Sequence, residues 1–155
     1  MKNILLDCFH EQVIITITNE VRRRGCGNRV VAGFLSGEQK PQGFEEYRWL
    51  KHNDADNFQH PIFREVDVII SLNNPVAIKE VAKLAVHHNR PLICCAHSLN
   101  EQSFHPLANA AYYVPTLYYG CYDDNLDLVI TNLLRIADSL PQMPITGKVY
   151  RECDI

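Results

Sequence analysis

Short apolar runs of strand length alternate in this sequence with segments in which apolar residues recur at helical spacing. The runs cover residues 3–6, 29–35, 66–72, 91–96 and 112–118, and the helical segments cover residues 10–24, 76–88, 99–110 and 123–140. Parallel strands need long crossover connections, which are usually helices, so this alternation favours a parallel sheet with helices on both faces. We therefore predict a doubly wound α/β fold.

The length and composition predict a single domain. The chain has 155 residues, of which 46% are hydrophobic and 21% are charged, which suits one domain over residues 1–155. Residues 36–64 are polar and contain proline and glycine, and we predict a long loop there with a short helix at residues 44–51. The tail, residues 141–155, is predicted to add an edge strand between residues 144 and 153.

Local signals predict where individual helices begin. Asp7 ends the first apolar run, and it either caps the first helix or acts as a base. Asn74 and Pro75 predict the start of the helix that follows the third run. Ser98, with Glu101 three residues later, predicts a capping box at the next helix.

The charge balance and the cysteines restrict the class of protein. The formal net charge is −3 and the isoelectric point is near 6.1, which excludes a generally basic nucleic-acid binder. The run Arg22 to Arg24 falls at a predicted helix end, where cations offset the helix dipole. The apolar start of the chain is too short for a signal peptide, and the sequence has no membrane span. We expect a cytoplasmic protein whose six cysteines are thiols.

The carboxyl ends of the strands indicate where a ligand would bind. In an open parallel sheet the binding crevice lies outside these ends, at the point where the strand order reverses. The candidate binding residues are those at the ends of the predicted strands: Cys8, Phe9, His10, Ser71, Asn73, Cys95, Ala96, His97 and Tyr122. We expect a small-molecule ligand at this edge.

The first turn of the predicted sheet lacks the glycines of a dinucleotide site. A Rossmann-like domain that binds NAD(P) needs glycines after its first strand, since backbone N–H groups must approach the pyrophosphate. Here residues 7–11 read Asp-Cys-Phe-His-Glu, and the acidic side chains would repel a diphosphate. Leu35 ends the second run, where an acid would bind the ribose, and Gly25 and Gly27 precede a strand rather than follow one. The sequence predicts a Rossmann-like sheet without the phosphate loop.

Three segments share a pattern with a known family. Residues 66–75 read VDVIISLNNP, residues 90–101 read RPLICCAHSLNE, and residues 114–118 read VPTLY before the last helix. In the same order they are similar to D-V-V-I-D-F-S/T-x-P, K-P-L-V-I-G-T-T-G-L-S-E and I-P-V-L-Y-S-P-N-F-S-x-G-V-N-L-L. These patterns are those of the nucleotide-binding domain of dihydrodipicolinate reductase (4-hydroxy-tetrahydrodipicolinate reductase), which this chain resembles.

The resemblance implies a Rossmann-like fold, NAD(P) as the cofactor of the family, and lysine and diaminopimelate biosynthesis as its pathway. The departures fall on functional positions, because residues 7–13 replace G-x-x-G-R-M-G, residues 95–98 replace G-T-T-G, and residues 121–123 replace N-F-S. The catalytic segments H-H-x-x-K and D-A-P-S-G-T have no counterpart. We interpret the chain as a non-catalytic, one-domain relative that binds a small ligand or self-associates. An NAD(P)-dependent reductase, which could gain a catalytic domain from another chain, stays the alternative.

A third interpretation rests on thiols and imidazoles at the predicted strand ends. Cys8, His10, Cys95 and His97 are soft or borderline ligands, which could hold zinc or form a reactive thiolate if they converge. Neither Cys-x-His pair has an established ligand spacing. We therefore predict no metal site and expect buried, inert cysteines.

Aromatic residues cluster in the long loop and around the fifth run. Phe44, Tyr47 and Trp49 either cover the crevice as a lid or fasten the loop to the body of the domain. Strand alternation leaves some of the tyrosines near the fifth run exposed, which is typical of interfaces and predicts a homodimer: Tyr112, Tyr113, Tyr118, Tyr119 and Tyr122.

Overall fold

The apolar runs form strands, and most of the segments between them form helices. The computed structural model describes residues 2–8, 11–24, 27–35, 40, 42–44, 47–72, 74–120 and 125–155. In this part of the chain the strands are β1 (Lys2–Cys8), β2 (Asn28–Phe34), β3 (Arg48–Leu50), β4 (Val68–Leu72), β5 (Leu92–Cys95), β6 (Thr116–Tyr119) and β7 (Tyr150–Arg151). The α-helices are α1 (Glu11–Arg24), α2 (Ile78–His88), α3 (Glu101–Ala110) and α4 (Leu126–Ser139). Short 3-10 helices occupy Ala55–Gln59, Pro61–Arg64, Pro75–Ala77, Leu140–Gln142 and Glu152–Asp154.

The seven strands of the described residues form one parallel sheet in the order β3-β2-β1-β4-β5-β6-β7. The first six positions of this order are those of the Rossmann fold, and β7 extends the sheet beyond β6. The predicted doubly wound, Rossmann-like fold is confirmed. The order reverses between β1 and β4, so the crevice expected of this fold lies at the carboxyl ends of these two strands.

Two apolar layers cover the sheet. Side chains of α1 and α4 pack on one face with Ile4, Leu6 and Cys8 of β1, and side chains of α2 and α3 pack on the other face with Leu5. Because side chains alternate along a strand, Asp7 follows Leu5 toward the α2 and α3 layer. A carboxylate is thereby placed inside an apolar layer.

The predicted helix at residues 44–51 is wrong. Residues Arg48–Leu50 form β3, which pairs with Ala32 to Phe34 of β2. Through this pairing the backbone N–H and C=O groups at the edge of β2 gain hydrogen-bond partners. This gain outweighs the preference of a polar segment for a loop or a short helix. Trp49 donates its indole N–H to the Phe44 carbonyl oxygen at 2.8 Å, and Phe44 is buried. These contacts fasten the segment around Phe44 and Trp49 to the sheet. They favour the prediction that its aromatic residues attach the loop to the domain over the prediction that they cover the crevice as a lid.

The predicted strand at residues 112–118 begins four residues later, at Thr116. The amides of Tyr112, Tyr113 and Val114 donate to carbonyl oxygens at the end of α3, so these residues form a turn despite their high strand propensity. Tyr118 and Tyr119 are buried, whereas Tyr112 and Tyr113 are 67% and 62% exposed. The prediction that some of these tyrosines are exposed is confirmed for Tyr112 and Tyr113, but both lie in the turn before the strand, so strand alternation is not the cause. Tyr122 lies outside the described residues.

The two predicted helix starts differ in outcome, since Asn74 and Pro75 do begin the 3-10 helix that precedes α2, whereas Ser98 does not cap α3. Asn100 rather than Ser98 caps α3, since its side-chain oxygen accepts a hydrogen bond from the Ser103 amide at 2.7 Å. Asn74 precedes the 3-10 helix Pro75–Ala77 and makes no side-chain capping bond. Its side-chain amide group instead donates a hydrogen bond to Asp7. The predicted edge strand in the tail is confirmed by β7, which pairs with β6.

Among the described helices, none combines the length and the apolar character needed to cross a lipid bilayer.

Gly33 allows the close approach of β3 to β2. A Cβ atom at this position would lie 2.9 Å from Trp49 Cζ3 and 3.2 Å from the Leu6 carbonyl oxygen. We expect Gly33→Ala to lower the free energy of unfolding by about 1–3 kcal/mol, because the neighbours must shift to admit the methyl group. Urea denaturation measures the change. The double variant Gly33→Ala, Trp49→Leu should recover part of the loss, and an unchanged stability of the single variant would contradict this packing.

Candidate functional site

A fully buried carboxylate lies at the carboxyl end of β1. Asp7 has 0% exposure, and it accepts hydrogen bonds from Ser71 Oγ at 2.9 Å and from Asn74 Nδ2 at 3.3 Å. Ser71 belongs to β4 and Asn74 follows that strand, so these bonds span the point where the strand order reverses. Asp7 lies inside β1 and α1 begins only at Glu11, so the prediction that Asp7 caps the first helix is wrong.

His52 joins Asp7 to a second carboxylate. Its Nε2 atom lies 3.1 Å from Asp7 Oδ1, and its Nδ1 atom lies 3.3 Å from Glu80 Oε2. The imidazole ring stacks on Phe34, with 4.2 Å between the ring centroids. Glu80 also accepts the backbone N–H of Asn53 at 2.9 Å. The segment after β3 is thus attached to both β1 and the first turn of α2.

The charges around His52 favour its protonated form. Burial by itself lowers the pKa of an imidazole, but the hydrogen bond to Asp7 and the negative charges of Asp7 and Glu80 together raise the pKa of His52 above its usual 6.5. A doubly protonated ring can donate to both carboxylates at once, whereas the neutral ring can donate to only one of them. The geometry therefore suits an imidazolium between two carboxylates.

A cavity of about 600 Å³ lies beside this cluster, between the segment after β3 and the start of α2. This volume falls within the range of small-molecule sites in proteins. His52 and Asn74, which contact Asp7, line it, and so does Glu80, which contacts His52. The rest of the wall is mixed and comprises Asn53, Asp54, Ala55, Phe58, Val76, Ala77, Lys79 and Lys83. We name this space the crevice cavity.

The residues predicted from the strand ends are only partly brought together. Ser71 contacts Asp7, and Ala96 accepts a hydrogen bond from the Tyr118 hydroxyl at 3.5 Å. Cys8 and Cys95 are buried on the opposite face of the sheet, against α1 and α4, and His97 is exposed. None of these five residues lines the crevice cavity. The other four, Phe9, His10, Asn73 and Tyr122, lie outside the described residues.

The thiol and metal interpretation gains no support from the part of the chain that the structure describes. Cys8 and Cys95 are both in register with Leu72, which lies between them, so two strand spacings of together about 9.6 Å separate their backbones. Burial, together with the negative charge of Asp7, raises the pKa of Cys94 to about 12, which disfavours a thiolate. No group of three or more ligating side chains that could hold a metal ion occurs among the described residues. His10 falls outside them.

The residues present do not fit the usual phosphate site of a dinucleotide. Only two residues separate β1 from α1, and the sequence from Asp7 to Val13 contains no glycine. At the end of β2 the chain continues with Leu35 rather than an acid. The Rossmann motif presents the bare amides of glycines to a pyrophosphate, and this sequence has no glycine at the corresponding positions.

Sequence reasoning missed His52 and Glu80. His52 follows the short β3, which has no clear strand signal in the sequence, and Glu80 lies on a helix as one charged residue among several. A usable signal existed for Asp7 and for its partner Ser71. Asp7 and Ser71 each stand one position before the end of an apolar strand, where an inward polar side chain requires a partner.

Comparison with known proteins finds only distant structural matches. No protein-family model matches the sequence. A search of curated proteins likewise finds no match. Among solved structures, a homoserine dehydrogenase from S. aureus matches 70% of this chain and 29% of its own, at 13% identity and a TM-score of 0.49. An oxidoreductase from Agrobacterium radiobacter, in complex with NAD+, L-tartaric acid and magnesium, matches 76% of this chain and 34% of its own, at 15% identity and a TM-score of 0.47. The chain spans about a third of the length of these two proteins.

The raised pKa of His52 makes stability depend on pH. The charged ring favours the folded state, so its contribution is complete below the unfolded pKa of 6.5 and is lost as the pH rises through the higher folded pKa. We expect the free energy of unfolding to fall over this interval, as measured by urea denaturation at a series of pH values. His52→Gln should remove this part of the pH dependence, whereas His105→Gln, on the exposed side of α3, should retain it. If the free energy of unfolding depended on pH in the same way for wild type and His52→Gln, the interaction of a charged His52 with Asp7 and Glu80 would be contradicted.

The Asp7 carboxylate accepts hydrogen bonds from Ser71 and Asn74 and lies 3.1 Å from His52 Nε2. Asp7→Asn keeps the size of the side chain but removes the negative charge, and the free energy of unfolding should fall by about 1–3 kcal/mol because hydrogen bonds to a charged acceptor are lost in the interior. Asp56→Asn, at an exposed position of the 3-10 helix Ala55–Gln59, serves as the control and should change stability by less than about 0.5 kcal/mol. Denaturant titration measures both values. If both variants lost the same free energy of unfolding, the hydrogen bonds to the buried Asp7 carboxylate would not stabilise the fold.

Proposed function

We propose that this chain is a Rossmann-type binding domain that does not transfer hydride by itself and that binds a small polar ligand in the crevice cavity. The observation that carries this proposal is the cluster of Asp7, His52 and Glu80 at the carboxyl edge. Two of its members, His52 and Glu80, line a cavity of about 600 Å³, and the third, Asp7, lies on β1 at the point where the strand order reverses. Ligands of open α/β sheets bind at this place in the fold.

The wall of the crevice cavity favours a ligand that carries charges of both signs. Lys79 and Lys83 supply cations on α2, and Asp54 and Glu80 supply carboxylates. Asn53 and Asn74 add amide groups that can donate and accept. A zwitterion such as a free amino acid matches this mixture better than a molecule with a single charge.

The reductase family is the relative that the sequence pattern favours for this domain. The three resembling segments form β4 with the start of the 3-10 helix Pro75–Ala77, then β5 with the start of α3, and then β6, which is their order in the pattern. The positions that would bind the diphosphate and those that would catalyse the reaction are the ones that depart from it. This combination supports a non-catalytic relative.

An NAD(P)-dependent oxidoreductase is the second candidate. The strand order favours it, since the sheet shares the order of dinucleotide-binding domains. This function would require a diphosphate site made without glycines, and a catalytic domain from another chain. Self-association stays a prediction. Tyr118 and Tyr119 are buried, so of the tyrosines near the fifth run that the structure describes, only Tyr112 and Tyr113 are exposed enough to form an interface.

Binding measurements separate the first two functions. We expect NADH and NADPH to produce no saturable fluorescence change at millimolar concentration. We expect at least one of the standard amino acids to produce saturable shifts of the Asn53 and Asn74 amides in the NMR spectrum of the labelled chain. Val76→Trp should weaken that binding at least about tenfold, because Val76 is 89% exposed and lines the crevice cavity, so that a larger side chain fills it without disturbing the core.

The control is Ile145→Trp, at an exposed position that does not line the crevice cavity, and it should leave binding unchanged. Tight binding of NADH or NADPH, or hydride transfer from NADPH to dihydrodipicolinate by the purified chain, would overturn the proposal in favour of the oxidoreductase. Absence of binding by every amino acid would overturn the assignment of a zwitterion.

A further inference from the structure

A second cavity lies between α2 and α3, on the outer surface of the domain. Its volume is about 650 Å³, and its wall is formed by residues of both helices together with Phe58 and Tyr113. Ala82 and Ala110 are buried residues of this wall, and their small side chains leave room between the helices. We name this space the helix groove.

The charged side chains of the helix groove all have one sign. Lys79 and Lys83 line it, and no carboxylate is present among the described residues of its wall. His87 and His105 add imidazoles, and Gln102 and Asn109 add amide groups. Asn109 Nδ2 and His105 Nε2 lie 3.4 Å apart and share a hydrogen bond, and each side chain has a further nitrogen or oxygen atom for a ligand. Because the whole protein has a formal net charge of −3, this cationic wall is a local feature and not a reflection of general composition.

The helix groove also provides apolar and aromatic surface. Val86 and Pro106 contribute aliphatic walls, and the rings of Phe58 and Tyr113 contribute aromatic ones. Tyr113 is 62% exposed, so its ring is available to a ligand without any rearrangement of the core. A concave site that joins apolar walls to a few polar groups has the character of a small-molecule site.

We infer that the helix groove binds a small organic anion with an aromatic body, such as an aryl phosphate or aryl carboxylate. The anionic group would contact Lys83 and the neighbouring donors, and the ring would stack on Tyr113. This inference does not depend on the ligand of the crevice cavity, although Phe58, Lys79 and Lys83 belong to both walls. His105, Asn109 and Tyr113 line the helix groove alone, which allows the two sites to be tested separately.

The probe is phenyl phosphate, titrated into the labelled full chain and followed by amide shifts in NMR spectra. We expect saturable shifts at His105, Asn109 and Tyr113. Inorganic phosphate, which lacks the ring, and benzyl alcohol, which lacks the charge, should each bind at least about tenfold more weakly. Tyr113→Ser and Lys83→Gln should each weaken phenyl phosphate at least about threefold.

Tyr112→Ser is the matched control, because Tyr112 is adjacent and equally exposed but does not line the helix groove. It should leave the binding of phenyl phosphate unchanged. Three outcomes would overturn the inference: no saturable shift, shifts confined to the crevice cavity, or equal binding by wild type and Tyr113→Ser. Sedimentation of the chain as a dimer that Tyr113→Ser dissociates would also overturn it, since a second copy would then occupy the helix groove.

Discussion

The interaction on which the rest of this structure depends is the set of hydrogen bonds to the buried carboxylate of Asp7. An isolated charge inside an apolar layer is strongly unfavourable, so the carboxylate requires donors wherever the fold can supply them. Ser71, Asn74 and His52 supply them from β4, from the turn after β4 and from the segment after β3. Residues distant in the sequence are thereby held at one edge of the sheet, next to the crevice cavity.

The residues that lie beside Asp7 in successive strands of the sheet also carry polar side chains. In the strand register Asp7 pairs with Ser71, Ser71 with Cys94, and Cys94 with Tyr118. Arg151 of β7 continues this row and lies 4.7 Å from the centroid of the Tyr118 ring. The negative charge at one end reinforces the effect of burial on Cys94, whose pKa rises to about 12. This row separates the apolar centre of the sheet from its carboxyl edge.

Most of the fold follows from periodicity, whereas the candidate site does not. The bounds of α1 and β1 agree with the predicted ones within a few residues, because long amphipathic segments and fully buried strands have strong patterns. The short β3 was predicted as a helix, since three residues carry too little pattern to reveal a strand that exists only through its pairing with β2. His52 follows this strand, so the error in β3 also concealed the residue that binds Asp7. Cys8 and Cys95, predicted as crevice residues, belong to the opposite apolar layer because side chains alternate along each strand.

The sequence by itself determined the parallel α/β architecture, the positions of the main helices and the lack of a glycine loop after the first strand. These properties are local, since each can be found in the spacing and type of neighbouring residues. Only the tertiary structure decided that Asp7 is a buried acceptor rather than a helix cap, and that the side chain of Asn74 donates to Asp7 while Asn74 keeps the position before the next helix. Both outcomes depend on partners more than forty residues away in the chain, and a hydrogen-bond partner that the fold brings close leaves no periodic signal in the sequence.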